Sequence, residues 1–372
     1  MDVKNNSKVV AIGNGIGLPF LKGGGGAPAP NPDFVIEVDT TQAGSASDTI
    51  ILPLEPGGTY SGTIDWGDGN SDSLSYANRQ YTYASGGTYT ITISGDTFEG
   101  FRYANGGDKA KLIDIQNWGF IALNADSAFR GCSNMDISAT DAPTITTTSM
   151  YRMFMSCVSL TNPDFSKWDV SAVTDFRDMF RDATNFNGNL STWDVSSGVQ
   201  FVRMMLSSSF NSDISDWQLL AADDISYMFN DTNFNQDISS WNVSNITNMS
   251  FLFGGTPFNQ NINNWDVSNV SNMNSTFAFG NIDQSFQGWD ITNVSNFQNF
   301  CRAVTLSTVN YDALLVDWEA TLQSAYPGGV GYPHTININF YVSKYTLGSA
   351  AESARTSLIS NFGWTITDGG GV

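Results

Sequence analysis

The chain has 372 residues, of which 41% are hydrophobic and only 14% charged, and its formal net charge is −20. A chain of this length and apolar content can bury a substantial core. The acidic excess argues against nucleic-acid binding, which needs clustered lysine and arginine, and against an anionic membrane surface. No stretch is apolar for long enough to span a membrane, so we expect no membrane insertion.

Residues 1–33 form a short, glycine-rich segment that ends in KGGGGAPAPNP. Glycine and proline at this density are typical of a linker. The beginning of the chain lacks a sustained apolar run followed by a cleavage site of small residues, so we predict no secretory signal. The segment is either a flexible tail or a peptide that anchors the chain to a partner.

Residues 34–105 contain short alternating runs such as FVIEVDT and TYTITISG, which predict an antiparallel β-sandwich. The stretch IDWGDG, followed by YTYASGGTYTITISG, resembles the PKD-like modules of bacterial surface proteins over about residues 33–101. In that family the module is usually a spacer or an adhesive unit. We expect Trp66 to fill the core, with Gly67 and Gly69 allowing a turn of positive φ.

The same stretch contains three carboxylates, Asp65, Asp68 and Asp72. Carboxylate oxygens can bind calcium, which makes these residues weak metal candidates. Their spacing does not match an EF-hand, and aspartate is also common in hairpin turns. We therefore predict no cofactor and treat calcium as the lesser alternative.

From residue 106 to 308 the sequence repeats itself. Successive tryptophans lie 25 and then 24 residues apart, and a second series of apolar residues between them has the same period. A unit this short cannot bury its own apolar face, so we expect the repeats to stack and these side chains to form a buried ladder. A stripe of exposed tryptophans that stacks on sugars is the alternative. The predicted ladder consists of Trp168, Trp193, Trp217, Trp241, Trp265, Trp289, Phe154, Phe180, Phe229, Phe253 and Phe277.

Each unit contains I-x-x-W-x-V, which is typical of a strand, and M-x-x-M-F, whose spacing predicts a helical turn with a preceding Ser or Thr as N-cap. The consensus resembles the leucine-rich-repeat-like units of the BspA-like bacterial surface proteins over roughly residues 112–308, best in SMYRMFMSCVSLTNPDFSKWDVSAVTDFRDMF. The resemblance implies a solenoid of 24–26-residue coils.

The family's Cys-x-Ser-Leu element places Cys132 and Cys157 at equivalent positions of adjacent coils. The two side chains are then either packed thiols or a disulfide. The third cysteine, Cys301, belongs to the repeating apolar series.

The sequence offers little for catalysis. His334 is the single histidine and is expected to be structural, so neither a Ser/His/Asp nor a Cys/His arrangement is recognisable. Asp223 and Asp224 are expected to cap a helical turn. Without an evident cleft holding two carboxylates, we predict that the chain is not an enzyme.

Residues 309–372 break the period. YDALLVDWEATL and AAESARTSLISNF predict helices, and TININF and WTITDG predict strands. We expect an α+β cap here, because the open edge of the last coil would otherwise pair with other chains.

The predicted fold is mainly β with short helical turns: a PKD/Ig-like sandwich, a solenoid and a cap. The leading functional hypothesis is a non-enzymatic phage virion component that binds host surface glycan or protein. Its N-terminal segment would contact other virion or surface proteins, and the chain would be an oligomer within an assembly on the virion surface. A bacterial cell-surface adhesin is the alternative, and a carbohydrate-active enzyme is a remote one.

Overall fold

The computed structural model describes residues 32–372. This part of the chain is mainly β with few helices and has an N-terminal sheet region, as predicted. The strands are β1 (Phe34–Asp39), β2 (Thr49–Ile51), β3 (Tyr60–Asp65), β4 (Ser71–Ser73), β5 (Gln80–Thr82), β6 (Thr88–Glu99), β7 (Leu112–Asn117), β8 (Ile121–Leu123), β9 (Asp136–Ile137), β10 (Thr144–Ile145), β11 (Asn337–Asn339) and β12 (Thr365–Thr367), and the helices are α1 (Thr308–Ala325) and α2 (Ala350–Ser360).

The N-terminal region is built around β1. Phe34, Ile36 and Val38 alternate along this strand and are fully buried, so one face of the strand faces the core. β1 pairs antiparallel with β6 on one side and with β7 on the other. β3 and β4 extend the sheet from β6, while β2 and β5 form a separate two-stranded sheet.

The sheet continues directly into the repeats. β7 pairs antiparallel with β1 and parallel with β9, and β8 pairs parallel with both β6 and β10. Residues 105 and 106, where the boundary between the two parts is predicted, lie between β6 and β7, which belong to one continuous sheet. The physical reason is that the first coil has an open edge whose backbone groups need partners, and the N-terminal strands supply them.

The repeats lie on one another in parallel register. Single parallel bridges join equivalent residues of successive repeats, at spacings of 24 to 26 residues. Each repeat is one coil of this stack. One series of bridged residues is Ser149, Asp175, Gln200, Asp224, Asn248, Asn272 and Asn296, and a further bridge joins Asp164 to Asn189.

The M-x-x-M-F segments do not form helical turns, and this expectation is wrong. Each segment is a series of tight turns, in which Met153 N–H donates to Met150 O at 3.1 Å and Met155 N–H to Arg152 O at 3.3 Å. Every coil has two residues of positive φ, four positions apart. These pairs, which define eight coils, are Ser127 and Gly131, Arg152 and Ser156, Asp178 and Asp182, Arg203 and Ser207, Tyr227 and Asp231, Phe251 and Gly255, Ser275 and Phe279, and Asn299 and Ala303.

Stacking explains this backbone. Between the local turns, alternate N–H groups donate to the next coil: Arg152 N–H to Arg177 O at 3.1 Å and Phe154 N–H to Met179 O at 2.9 Å. A helix would direct all of these groups along its own axis. Alternating positive φ directs them along the stack instead, where every coil has partners.

The other two local expectations for the repeat are also wrong. The I-x-x-W-x-V segment is a turn rather than a strand, since Trp265 N–H donates to Ile262 O at 3.1 Å. The serine that follows is not a helix N-cap. In the first such segment, Ser171 N–H donates to Asp169 Oδ1 at 3.1 Å, which closes an Asx turn.

Both ends of the stack are covered. At the N-terminal end, carbonyls of the first coil accept Tyr103 N–H (Ala128 O, 2.8 Å) and the Arg102 Nε–H (Asp126 O, 2.8 Å). At the other end, α1 and α2 occupy the predicted helical segments, and β11 and β12 the predicted strands.

Helix α1 continues the repeat pattern in a different backbone conformation. Trp193 to Trp289 each donate their indole N–H to a carbonyl in the preceding coil, and Trp318 of α1 does the same to Phe286 O at 3.3 Å. The α1 N-cap, Ser307, also donates its N–H to Asp283 Oδ1 at 2.8 Å. The cap therefore presents to the last coil the contacts that another coil would make.

Candidate binding surface

The tryptophans of the ladder lie inside the stack. Trp168 is 4% exposed, and the other five expose no more than this. The rings of Trp241 and Trp265 are 6.5 Å apart and inclined by 3°. The Trp265 indole N–H donates to Ile238 O at 3.1 Å. These rings are therefore not accessible for stacking on a ligand.

The phenylalanines of the ladder are buried in the same way. Phe154 and Phe180 lie 5.6 Å apart and nearly parallel, as do Phe253 and Phe277 at 5.7 Å. Phe229 is likewise fully buried. Both repeating series thus have a packing role, and any ligand must contact the residues between them.

The three calcium candidates have separate tasks in one hairpin. Asp65 accepts Gly67 N–H, Asp72 accepts the Trp66 indole N–H at 2.9 Å, and Asp68 accepts the Tyr81 hydroxyl at 2.8 Å. The hydroxyl hydrogen bond from Tyr81 is the main reason that the pKa of Asp68 is lowered. Within residues 32–372, no three His, Cys, Asp or Glu side chains converge on a point that could hold a metal ion.

The three cysteines are buried, free thiols, so no disulfide joins Cys132 to Cys157. The Cys157 thiol donates to Phe129 O at 3.0 Å, and burial raises its pKa to about 12. Burial also raises the pKa of the thiols of Cys132 and Cys301. The environment of all three favours the neutral thiol, which is a poor nucleophile.

The remaining polar candidates have structural contacts. His334 is half-buried and packs edge-on against the Tyr332 ring at 5.5 Å. Asp224 caps no helix: its carboxylate accepts Ser226 N–H at 2.8 Å and the Asn248 amide at 2.9 Å. The backbone carbonyl of Asp223 accepts Thr247 N–H at 2.8 Å. These two aspartates therefore hold adjacent coils together.

One face of the stack carries a row of asparagines with hydrogen bonds from coil to coil. Asn211 N–H donates to Asn187 Oδ1 at 2.7 Å, and Asn235 N–H donates to Asn211 Oδ1 at 2.8 Å. Gln236 adds an amide hydrogen bond to Asn211 O at 2.9 Å. The sequence signal for this row is the F-N-x-x-I that opens each unit. Because these amides satisfy one another, they are mainly structural.

Beside this row, Asx turns of successive coils line two shallow polar clefts. Asp237 accepts Ser239 N–H at 2.9 Å, and this hydrogen bond is the main reason that the pKa of its carboxyl is lowered. One cleft lies between this turn and the turn at Asp213, and the other between it and the turn at Asn261. Carboxylate, hydroxyl and amide groups in these clefts can exchange hydrogen bonds with a hydroxyl-rich ligand.

A chain of stacked short repeats with a continuous apolar interior and polar outer rows is a repeat protein. The family model described as "Mycoplasma protein of unknown function, DUF285" matches residues 123–233 and 207–314, which together make up more than half of the chain. The chain belongs to this family. No curated protein and no solved structure matches it.

The family match bears on the two settings predicted from the sequence. Its description refers to bacterial proteins, so the bacterial alternative is better supported, and nothing supports a phage virion. Neither helix of residues 32–372 has the length and apolar character needed to cross a membrane.

Proposed function

We propose that the protein is a non-enzymatic binding protein displayed on a bacterial cell surface, with a PKD-like module, a BspA-like solenoid and a C-terminal cap. The observation that carries the proposal is the arrangement of the repeats. Their large apolar residues are buried, while asparagine, aspartate, serine and glutamine recur on the outside at a fixed spacing. An extended surface of this kind suits the recognition of a glycan or a protein.

The parts of the chain have different tasks in this proposal. The N-terminal sheet region is a spacer that also pairs with the first coil, and residues 1–33 connect the chain to another surface protein. The outer rows contact a host glycan or protein. The chain acts as an oligomer within a surface assembly.

Two features support a binding role over an enzymatic one. The chain has a single histidine, and that residue packs against Tyr332 at the cap, away from the polar clefts. The clefts hold carboxylates that accept hydrogen bonds from their own turns, as Asp237 does from Ser239 N–H at 2.9 Å. This hydrogen bond lowers the pKa of Asp237, and a carboxylate with a lowered pKa is a poor general acid.

Protease treatment of intact cells that naturally produce the protein tests the surface location. We expect the chain to be cleaved before any cytoplasmic marker is, and an antibody to residues 32–372 to label unpermeabilised cells. Labelling that requires permeabilisation would contradict surface display. The purified chain, incubated with the glycans that it binds, should return them intact, and measurable hydrolysis would favour the enzyme alternative.

A further inference from the structure

The arginines of this acidic chain are concentrated on one surface. The turn face is the set of outward side chains of the positive-φ residues of each coil and of the residues next to them. Residues 204–301 contain no lysine or arginine, so the basic part of the turn face lies almost entirely in the first four coils. Six of the nine arginines of the chain lie on this face: Arg130, Arg152, Arg177, Arg181, Arg203 and Arg302.

Three of these arginines surround one carboxylate. Asp178 has a side chain that is 0% exposed, and Arg203 Nε lies 2.8 Å from its Oδ1. Arg152 Nε and Arg181 Nη1 approach the same carboxylate, each at 3.5 Å. A single negative charge thus faces three guanidinium groups. Asp182 Oδ2 also lies 3.3 Å from Arg181 Nε, and Arg177 pairs with Asp175, so the four arginines of the cluster face three carboxylates and one positive charge remains in excess.

Two of the guanidinium groups are also incompletely hydrogen-bonded. Within residues 32–372, the Nε atoms of Arg152 and Arg181 are buried and have no hydrogen-bond partner. Arg177 forms a bidentate pair with Asp175, at 2.9 and 2.7 Å, yet its side chain is 43% exposed. The buried Nε atoms cannot reach a ligand, but the side chains of Arg152, Arg181 and Arg203 are 29, 33 and 37% exposed, so the outer parts of these guanidinium groups are accessible.

Aromatic rings lie beside the arginines. The guanidinium carbons of Arg152 and Arg177 lie 4.5 and 5.2 Å from the centre of the Tyr151 ring. Further along the same face, the half-buried rings of Tyr227 and Phe251 stack 4.4 Å apart. The turn face thus combines cationic groups with partly exposed aromatic planes.

The backbone of the turn face has no free edge along its middle coils. Arg152 N–H and Ser156 N–H donate to the next coil, and Tyr227 N–H does so three coils further on, to Ser250 O at 2.9 Å. A peptide cannot add as a strand where these groups are already paired. A ligand must therefore be recognised through the side chains.

We propose that the turn face around Arg152, Arg177, Arg181 and Arg203 binds an anionic glycan. Guanidinium groups pair with carboxylate or sulfate, and the adjacent aromatic rings pack on the apolar faces of the sugar rings. The net charge of −20 repels every long polyanion, nucleic acid and anionic glycan alike. The arginine cluster therefore suits a short anionic segment of a glycan, and a DNA duplex is the competing ligand in the test. This inference rests on the proposed binding function and names its ligand class and its surface.

Binding of the full chain to immobilised heparin, hyaluronan and dextran tests the proposal. We expect the chain to bind at least one of the two anionic glycans, with an affinity that decreases as salt is raised, and not to bind dextran. The two glycans separate sulfate from carboxylate recognition. The double variant Arg177→Gln/Arg181→Gln should bind roughly tenfold or more weakly.

The matched control is Arg79→Gln/Lys344→Gln, which removes two positive charges at positions away from the turn face. It should bind within about twofold of the unmodified chain, because surface charges at a distance are screened. Thermal unfolding of both variants verifies that they are folded. Arg152 and Arg203 remain in place, so Asp178 keeps two of its three partners.

Three results would overturn the inference. One is no binding to either anionic glycan, and another is equal binding by the Arg177→Gln/Arg181→Gln variant. The third is binding of poly-glutamate or of a DNA duplex as tightly as the glycans. The chain could also bind dextran or a host protein equally well with and without the two arginines. The proposed binding function would then stand, but the assignment of the turn face as the binding surface would be wrong. If the chain in intact cells were cleaved no earlier than a cytoplasmic marker, the proposed function itself would be overturned.

Discussion

Trp265 connects two coils through one side chain. Its ring packs on Trp241 of the preceding coil and on Phe253 at 6.3 Å, and its indole N–H donates to Ile238 O. The side chain is 2% exposed. Its removal would leave a cavity in the interior and would remove a hydrogen bond between coils.

Trp265→Ala is therefore expected to lower the free energy of unfolding by roughly 3–5 kcal/mol, measured by denaturant unfolding. Trp265→Phe keeps most of the ring and loses the N–H donor, so a smaller loss of about 1–2 kcal/mol is expected. If Trp265→Ala abolished ligand binding while the melting temperature stayed unchanged, the ring would be a ligand contact and its assignment to the core would be wrong.

The cysteines give a second prediction at this scale. A thiol reagent at pH 8 should label none of Cys132, Cys157 and Cys301 in the folded chain and all three after unfolding without reductant, because all three are buried and free. Labelling of a single thiol in the unfolded chain would reveal a disulfide between Cys132 and Cys157.

A folded pKa of about 12 for Cys157 lies above the unfolded value of about 8.5. The neutral Cys157 thiol therefore contributes fully to stability below the unfolded pKa of about 8.5, and this contribution is lost as the pH rises toward the folded pKa.

At the scale of the element, the repeating unit is a set of turns rather than a strand and a helix. Short carboxylates and amides close these turns. Asp237 accepts Ser239 N–H, as Asn189 accepts Ser191 N–H at 3.1 Å in an equivalent turn. Either residue type supplies the acceptor, but only aspartate makes the turn sensitive to pH.

Asp237→Asn should leave the melting temperature at pH 7 nearly unchanged and reduce the loss of stability on acidification. The folded pKa of Asp237 is lowered below the unfolded value of about 3.9. Its contribution is therefore present above that value and is lost as the pH falls through the lower folded pKa. Melting temperatures between pH 6 and pH 2.5 measure the effect.

The reverse substitution, in the equivalent turn of the next coil, is the control. Asn261 closes the equivalent turn of the next coil and accepts Asn263 N–H at 3.0 Å. Asn261→Asp should increase the loss of stability in acid. An identical acid profile for both variants and the unmodified chain would show that these turns do not contribute to acid sensitivity.

At the scale of the whole molecule, the N-terminal sheet and the C-terminal cap complete the edges of the stack. In the positive-φ segments, the peptide groups that bond between coils point the same way, with the N–H directed to the next coil, as from Arg152 to Arg177 O. The carbonyl end faces Arg102, whose positive charge suits the negative end of aligned peptide dipoles. The other end is covered by Trp318 and its helix α1.

Trp318→Ala should loosen the cap before the rest of the chain. The ring is fully buried against Phe297 at 5.2 Å, and its N–H donates to Phe286 O. Because each coil contacts mainly its neighbours, local loss of structure need not reach the other end. Hydrogen exchange should therefore show reduced protection in α1, α2 and the last coils, with β1 and β6 unchanged.

Val316→Ala on the same helix is the matched control, because this side chain is 38% exposed. It should change protection little. An equal loss of protection from β1 to α2 in the Trp318→Ala variant would show that the chain unfolds as a single cooperative unit, contrary to this expectation.

Much of the architecture could be predicted from the period. Residues that recur every 24 or 25 positions, such as Trp241 and Trp265, must occupy equivalent places, because a unit this short has no interior of its own. The helices α1 and α2 were predictable for the opposite reason, since their apolar spacing is local. The turn conformation at Arg152 and Ser156 was not, because M-x-x-M-F spacing suits both a helical turn and a pair of tight turns.

The amino-acid sequence by itself determined the repeat, the positions of the large apolar side chains and the acidic character of the chain. Only the tertiary structure decided the backbone conformation of each unit, since hydrogen bonds between coils outweigh the local preference for a helix. It also decided that the first coil joins the N-terminal sheet, and that Arg152, Arg181 and Arg203, from three different coils, meet at Asp178. Residues about 25 positions apart become neighbours only when the coils stack.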